Sequence, residues 1–172
     1  MAFTNLQVDP HTLPRASELQ LQRLPAAHRR ELLTQALITM GIFLLPSAIP
    51  LVTPLEERIG DFVFAPPLVV LALGALFTGL ALVRYRHKGY ALREHDVAFR
   101  NGLFWRKTTV LPFDRVQHAE VTQGPLQRRF KLATLKFFTA GGSSVDLKID
   151  GLLAEEAERL REAVLQRSAD EE

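Results

Sequence analysis

Residues 32–55 run about 24 positions without an ionisable side chain, and residues 62–83 run about 22 more, each long enough to carry a helix across the hydrocarbon of a bilayer. A buried helix of a soluble protein keeps a polar stripe every third or fourth residue, and neither run has one. The first run also starts too late and extends too far to be the core of a signal peptide. The pattern predicts a transmembrane hairpin, with spans at residues 32–54 and 62–84 joined by a connector at residues 55–61.

Flanking charge orients the hairpin. Arg23, Arg29 and Arg30 precede the first run, and Arg84, Arg86 and Lys88 follow the second, whereas the connector sets Glu56, Glu57 and Asp61 against Arg58 alone. Positive charge is retained on the cytoplasmic side, so both termini are expected there and the connector outside. The expectation is a multi-pass protein of the inner, cytoplasmic membrane, with residues 1–31 a cytoplasmic lead-in.

Pro46 and Pro50 fall late in the first run, and Pro66 and Pro67 early in the second, where the first helical turn tolerates proline. Gly74, Ala75, Thr78 and Gly79 form a small-residue stretch, and the four-residue step from Ala75 to Gly79 lets another helix approach closely. The simplest partner is the first helix; a second copy is the alternative. Without an ionisable group inside either run, a proton relay or ion pathway built by this chain alone is not expected, and the helices read as an anchor.

Composition narrows the rest. Lys and Arg number 21 against 19 Asp and Glu, a net charge of +2 that does not suggest a nucleic-acid binder. Having no cysteine, the chain lacks disulfides, thiolate metal sites and cysteine nucleophiles.

From Gly89 the hydrophobic period changes to two, as half-buried strands require. Strands are expected at residues 90–93, 97–100, 103–111, 116–123, 132–139 and 145–149, with a hairpin at Glu94-His95, a tight turn at Asn101-Gly102, breaks at Pro112 and Gly124-Pro125, and a turn at Gly141-Gly142. In the last strand Val145, Leu147 and Ile149 alternate with Asp146, Lys148 and Asp150. Leu153, Ala157, Leu160 and Val164 then share one helical face, with Glu155 and Glu156 near the helix start where its dipole favours them. One cytoplasmic domain over residues 85–168 follows, with a frayed tail at 169–172.

The stretch from Asp114-Arg115-Val116-Gln117-His118 through Gly124-Pro125-Leu126-Gln127-Arg128-Arg129-Phe130, followed by Leu132-Ala133-Thr134-Leu135, resembles the bacterial PH-like domain of the YdbS/YdbT type. Tyr90, the Asn101-Gly102-Leu103 turn and the preceding Arg-flanked hairpin fit the same resemblance, which leaves only the first twenty or so residues outside it. It implies an α+β PH-like fold: a bent, nearly closed antiparallel β-barrel capped by a C-terminal α-helix. Six strands are counted where that fold has seven. Either a short strand lies outside the pattern, or residues 103–111 bend and serve twice.

No catalytic constellation emerges. His11, His28, His87, His95 and His118 are scattered without metal-pair spacing and read as surface or strand residues. Ser143 and Ser144 follow glycines in a hairpin turn without a nucleophile elbow, Gly141-Gly142 precedes no helix, and Asp114, Asp146 and Asp150 fall at strand ends or point outward. A non-enzyme without cofactor or metal is expected.

The basic residues offer more. Arg84, Arg86 and Lys88 are explained by topology, but Arg106 and Lys107 beside Trp105, and Arg128, Arg129 and Lys131 after Gly124-Pro125, are possible contacts for anionic lipid or a partner. Ordinary solvated strand edges are the favoured explanation of the two. The function expected is a membrane-anchored interaction or scaffolding module whose partners are the bilayer and another membrane or cytoplasmic protein. The alternatives are binding of anionic lipid headgroups by the basic turns, or an auxiliary subunit of a larger transport or secretion complex.

Overall fold

The computed structural model describes residues 20–52, 60–103, 105–139 and 145–170. Most of the expected connector, the Gly141-Gly142 turn with Ser143 and Ser144, and His11 lie outside them.

Two long helices come first. Helix α1 spans Ala26–Ser47 with Pro46 in its last turn, after which a 3-10 segment covers Ile49–Val52. A second 3-10 segment, Gly60–Phe64, leads into α2 at Ala65–Arg86, whose first turn holds the two prolines where their missing N–H groups are least needed. The helices pack side by side, with Gly74 of α2 against the side chain of Met40.

Among the described residues, one stretch, Phe62–Arg86, is long and apolar enough to cross a membrane, and no residue of its α2 part, Ala65–Arg86, is buried. The expected pair of equal spans is thus only partly present. The reason lies at both ends of α1: it stops at Ser47, just past Pro46 and short of the expected residue 54, and its first turns carry Arg29, Arg30 and Glu31, with His28 and Glu31 buried in the domain below. Only about 16 residues of helix remain beyond them, or about 24 Å at 1.5 Å per residue.

Among the described residues the domain has seven antiparallel strands in two sheets. The first contains β1 (Gln22–Arg23), β2 (Gly89–Leu92), β3 (Asp96–Asn101) and β4 (Lys107–Pro112) in that order. The second contains β5 (Val116–Thr122), β6 (Leu132–Thr139) and β7 (Leu147–Leu153). The missing seventh strand is β1, which lies before the helices and pairs Gln22 with Tyr90 and Arg23 with Gly89. Its neighbour Leu24 enters the core, so the domain draws on residues well outside 85–168.

The expected nearly closed barrel is corrected to two separate sheets. Pro112 cannot donate to a continuing ladder, and the 3-10 turn Phe113–Arg115 redirects the chain between β4 and β5. Tyr90, Val97, Phe99 and Leu111 of the first sheet meet Leu135, Phe137, Leu147 and Ile149 of the second in one core. Helix α4, Ala154–Asp170, closes it with Ala157 and Val164 fully buried, while the Ser168 hydroxyl donates to the Val116 carbonyl at 2.9 Å. The helix continues through residues expected to fray.

Two local features differ from the expected strands. The strand expected at 103–111 starts only at Lys107, because Gly102 (φ +116°) turns the chain so tightly that a Cβ there would lie 1.9 Å from the Trp105 carbonyl oxygen. Gly124-Pro125 opens a short helix, α3 (Pro125–Arg129), whose Gln127 side chain accepts from the Gly124 N–H at 3.0 Å.

Candidate functional site

The distinctive chemistry of this chain collects where the helices leave the domain. His28, in the first turns of α1, is 3% exposed and lies over Gly151, a left-handed residue (φ +83°) unpaired between Asp150 and Leu152 in the β6–β7 register. A Cβ at Gly151 would come within 2.4 Å of the imidazole, so this bulge is what admits the ring. His28 Nδ1 and a Glu31 carboxylate oxygen are 2.8 Å apart, one helical turn along. The expectation that all five histidines are surface or strand residues is therefore corrected at His28.

Asp150 completes the junction. Its carboxylate accepts from Lys88 Nζ at 2.7 Å and lies 3.8 Å from His28 Nε2. Burial pushes the Asp150 carboxyl up, but the Lys88 charge and hydrogen bond, with His28 behind them, outweigh it and hold the group below the ordinary carboxylate range. Asp150 thus points into a contact and not outward, and Lys88, whose side chain is only 12% exposed, does more than mark the membrane side. On the neighbouring turn of α2, the Tyr85 hydroxyl lies 3.0 Å from the Leu24 carbonyl oxygen and 3.2 Å from that of Pro25. Two helices, the segments that flank them and β7 are joined here by contacts that their separate sequence patterns do not reveal.

The basic residues fall at the same end of the domain but in different settings. Arg106, exposed, shares a concavity of about 240 Å³ with Arg23, Arg86 and Arg100. Lys107 opens β4 opposite Asn101. Arg128 and Arg129 are exposed on α3, which touches α1, and Lys131 follows in a left-handed conformation (φ +55°). Arg128 also lines a groove of about 630 Å³ with Val121, Gln123, Glu155 and Glu158, beside the start of α4.

In the small-residue stretch, Gly74 and Thr78 face α1 across an open cleft of about 480 Å³, and the Thr78 hydroxyl donates to the Gly74 carbonyl at 2.6 Å. Ala75 and Gly79 are exposed, with nothing within 4 Å of where a Cβ at Gly79 would stand.

Sequence reasoning missed Arg23 and Arg100 as members of a basic cluster, since they join it only through the β1–β2–β3 pairing. Trp105 directly before Arg106 and Lys107 is the one local signal, an aromatic and basic combination typical of membrane interfaces.

Comparison with known proteins agrees with this architecture. The bacterial PH domain family matches residues 36–168. The UPF0699 transmembrane protein YdbS of Bacillus subtilis (strain 168) is 36% identical over 97 residues, 55% of this chain and 59% of YdbS. The UPF0699 transmembrane protein YdbT of the same organism is 33% identical over 103 residues, 58% of this chain and 21% of YdbT. The chain therefore spans little more than half of the first relative and a fifth of the second. No solved structure matches it. With two antiparallel sheets, a closing C-terminal helix and a match extending over most of its length, the chain belongs to the bacterial PH domain family.

Proposed function

We propose that this chain is a membrane-anchored, non-catalytic interaction module, in which two antiparallel helices cross the bilayer and hold a PH-like headpiece at its cytoplasmic face. The observation that carries the proposal is the junction. Tyr85 reaches the Leu24 and Pro25 carbonyls, Lys88 pairs with Asp150 and His28 lies over Gly151, so the helices root in the domain core. Such a headpiece keeps one fixed surface toward the leaflet.

Spanning by α1 is supported by its outer face, where Leu37, Ile38, Ile42, Phe43 and Leu45 are exposed, an apolar surface that water disfavours and lipid accommodates. Residues 32–47 as α-helix and 49–52 as 3-10 helix together reach about 32 Å, close to the hydrocarbon thickness. The basic residues at the domain end of both helices support a reading with that end in the cytoplasm and the connector outside.

Single cysteines introduced into this cysteine-free chain test the arrangement. Glu57→Cys is expected to react with an impermeant thiol reagent added to intact cells, and Glu94→Cys, exposed in the β2–β3 turn, only after the membrane is opened. Labelling of Glu94→Cys from outside would reverse the orientation, protection of both in intact cells with labelling of both after opening would remove the crossing of α2, and labelling of Gln20→Cys from outside would remove that of α1.

A protein partner is the second reading. The groove beside α4, with Arg128 facing the side that carries Glu155 and Glu158, offers an extended peptide both signs of charge.

A further inference from the structure

Two concavities meet at Gly102. The basic one brings together Arg23 from β1, Arg86 from the end of α2, Arg100 from β3 and Arg106 from the loop before β4. Lys88 also lines it but is committed to Asp150, and Arg100 Nε donates to the Thr108 hydroxyl at 3.3 Å. Arg23, Arg86 and Arg106 are exposed and have no ion-pair partner among the described residues. Like charges brought together by three separate elements repel one another unless an anion sits between them.

The second concavity, about 410 Å³, continues from the first along α2. Phe77, Leu80 and Ala81 form its apolar wall, with Arg84 at the end nearer the arginines, and Leu103 and Trp105 of the β3–β4 loop close its other side. Trp105 is 88% exposed, lying against a helix that is itself apolar and unburied. With Arg86 at headgroup level, Phe77 lies nine residues deeper, about 13 Å at the helical rise. The loop therefore reaches past the headgroups, where a tryptophan followed by arginine and lysine is at home.

We infer that the junction between α2 and the β3–β4 loop binds one anionic phospholipid of the cytoplasmic leaflet, with its phosphate among Arg23, Arg86 and Arg106 and an acyl chain along α2 beneath Trp105. The inference deepens the proposed function and rests on α2 spanning the bilayer with the domain on the cytoplasmic side. A soluble anion would use the basic half and leave the apolar half empty, whereas a zwitterionic lipid would fill the apolar half and bring no net charge to the arginines. Only an anionic lipid uses both.

Trp105 is the single tryptophan of the chain, so its fluorescence reports this site alone. The full chain would be reconstituted in phosphatidylcholine nanodiscs containing a small fraction of acyl-brominated lipid, either phosphatidylglycerol or phosphatidylcholine. Brominated phosphatidylglycerol is expected to quench Trp105 at a far lower mole fraction than brominated phosphatidylcholine. The variant carrying Arg23→Gln, Arg86→Gln and Arg106→Gln should lose that preference by about 100-fold, at about fivefold per charge. The corresponding triple lysine variant should keep most of it, which separates charge from folding. Inorganic phosphate in the aqueous phase should leave the preference unchanged.

Equal quenching by the two lipids, a preference that survives the glutamine variant, or one abolished by inorganic phosphate would overturn the lipid site and leave the anchored headpiece standing. An unquenched, water-like Trp105 in both bilayers would overturn the site, and the labelling of Glu57→Cys and Glu94→Cys decides separately whether α2 crosses.

Discussion

The half of the molecule in the domain and the half made of paired helices are held in different ways. In the domain, two sheets and α4 bury Tyr90, Phe113, Phe137, Leu135 and Ile149 almost completely, and the core extends upward through Leu24 into the junction with the helices. Between the helices, an open cleft is lined by Leu32, Met40, Phe43, Leu73 and Phe77, and the apolar side chains on their outer faces meet no protein. The domain supplies its own hydrophobic driving force, whereas in the proposed membrane arrangement the helices take theirs from the bilayer, in which packing one apolar helix against another adds little beyond close contact. Stability should therefore be concentrated in the domain and junction and fall away along the helices.

The largest effect is expected from the core. Phe137→Ala, at a fully buried position where β6 faces the other sheet, should destabilise the detergent-solubilised chain by about 3–5 kcal/mol in a denaturant titration. A loss well under 1 kcal/mol would mean that the domain does not dominate stability.

The junction comes next. Asp150→Asn removes the charge facing the nearly buried Lys88 and should cost about 2 kcal/mol at neutral pH, below the full penalty of a broken buried pair because Asp150 itself is partly exposed. Since Asp150 is held below the ordinary carboxylate range, the unfolded chain takes up its proton first as pH falls. Its stabilising contribution is therefore complete above about pH 4 and declines as pH drops through the folded-state value. The difference in stability between parent and variant should shrink as acid is added below that point. A difference that stays constant down to acid unfolding would contradict the Lys88 pairing.

The smallest effect belongs to the helix pair. A Cβ at Gly74 would lie 2.6 Å from Met40 Cε, the free end of a flexible side chain with an open cleft beside it. Gly74→Ala should change stability by less than about 1 kcal/mol, and a larger loss would show the helices to be more tightly packed than this comparison holds.

The same division governs what the sequence makes legible. Strand β6 falls on the expected residues, and β2, β3, β5 and α4 lie within a few residues of theirs, because one face of each is buried and alternation or helical periodicity records that burial. Gln22–Arg23 is too short to carry a period, and its pairing partner lies across both helices in the chain, so nothing local marks it as a strand. The first uncharged run has the length of a span, but α1 covers it only as far as Ser47, and the turns of α1 that precede the run belong to the domain, as the burial of His28 and Glu31 shows.

The candidate site was legible in part. Trp105, Arg106 and the Asn101-Gly102 turn stand together in the chain, whereas Arg23, Arg86 and Arg100 join them only through strand pairing and the exit of α2. The junction was less legible still. His28 and Glu31 look like an ordinary pair one helical turn apart, and Gly151 inside a strand pattern was the one available sign of a bulge and a close approach.

The rooting of the helices in the domain is tested most directly by a distance measured across the junction. Spin labels at Leu76, exposed on α2, and Lys148, exposed on β7, would be placed in the full chain in lipid nanodiscs and their separation measured by pulsed dipolar spectroscopy. Helices that grow from the domain core through Tyr85, Lys88 and His28 predict one narrow distance distribution, unchanged by the lipid composition of the disc. A broad or lipid-dependent distribution would show the domain to be tethered and free to swing, contradicting the fixed headpiece.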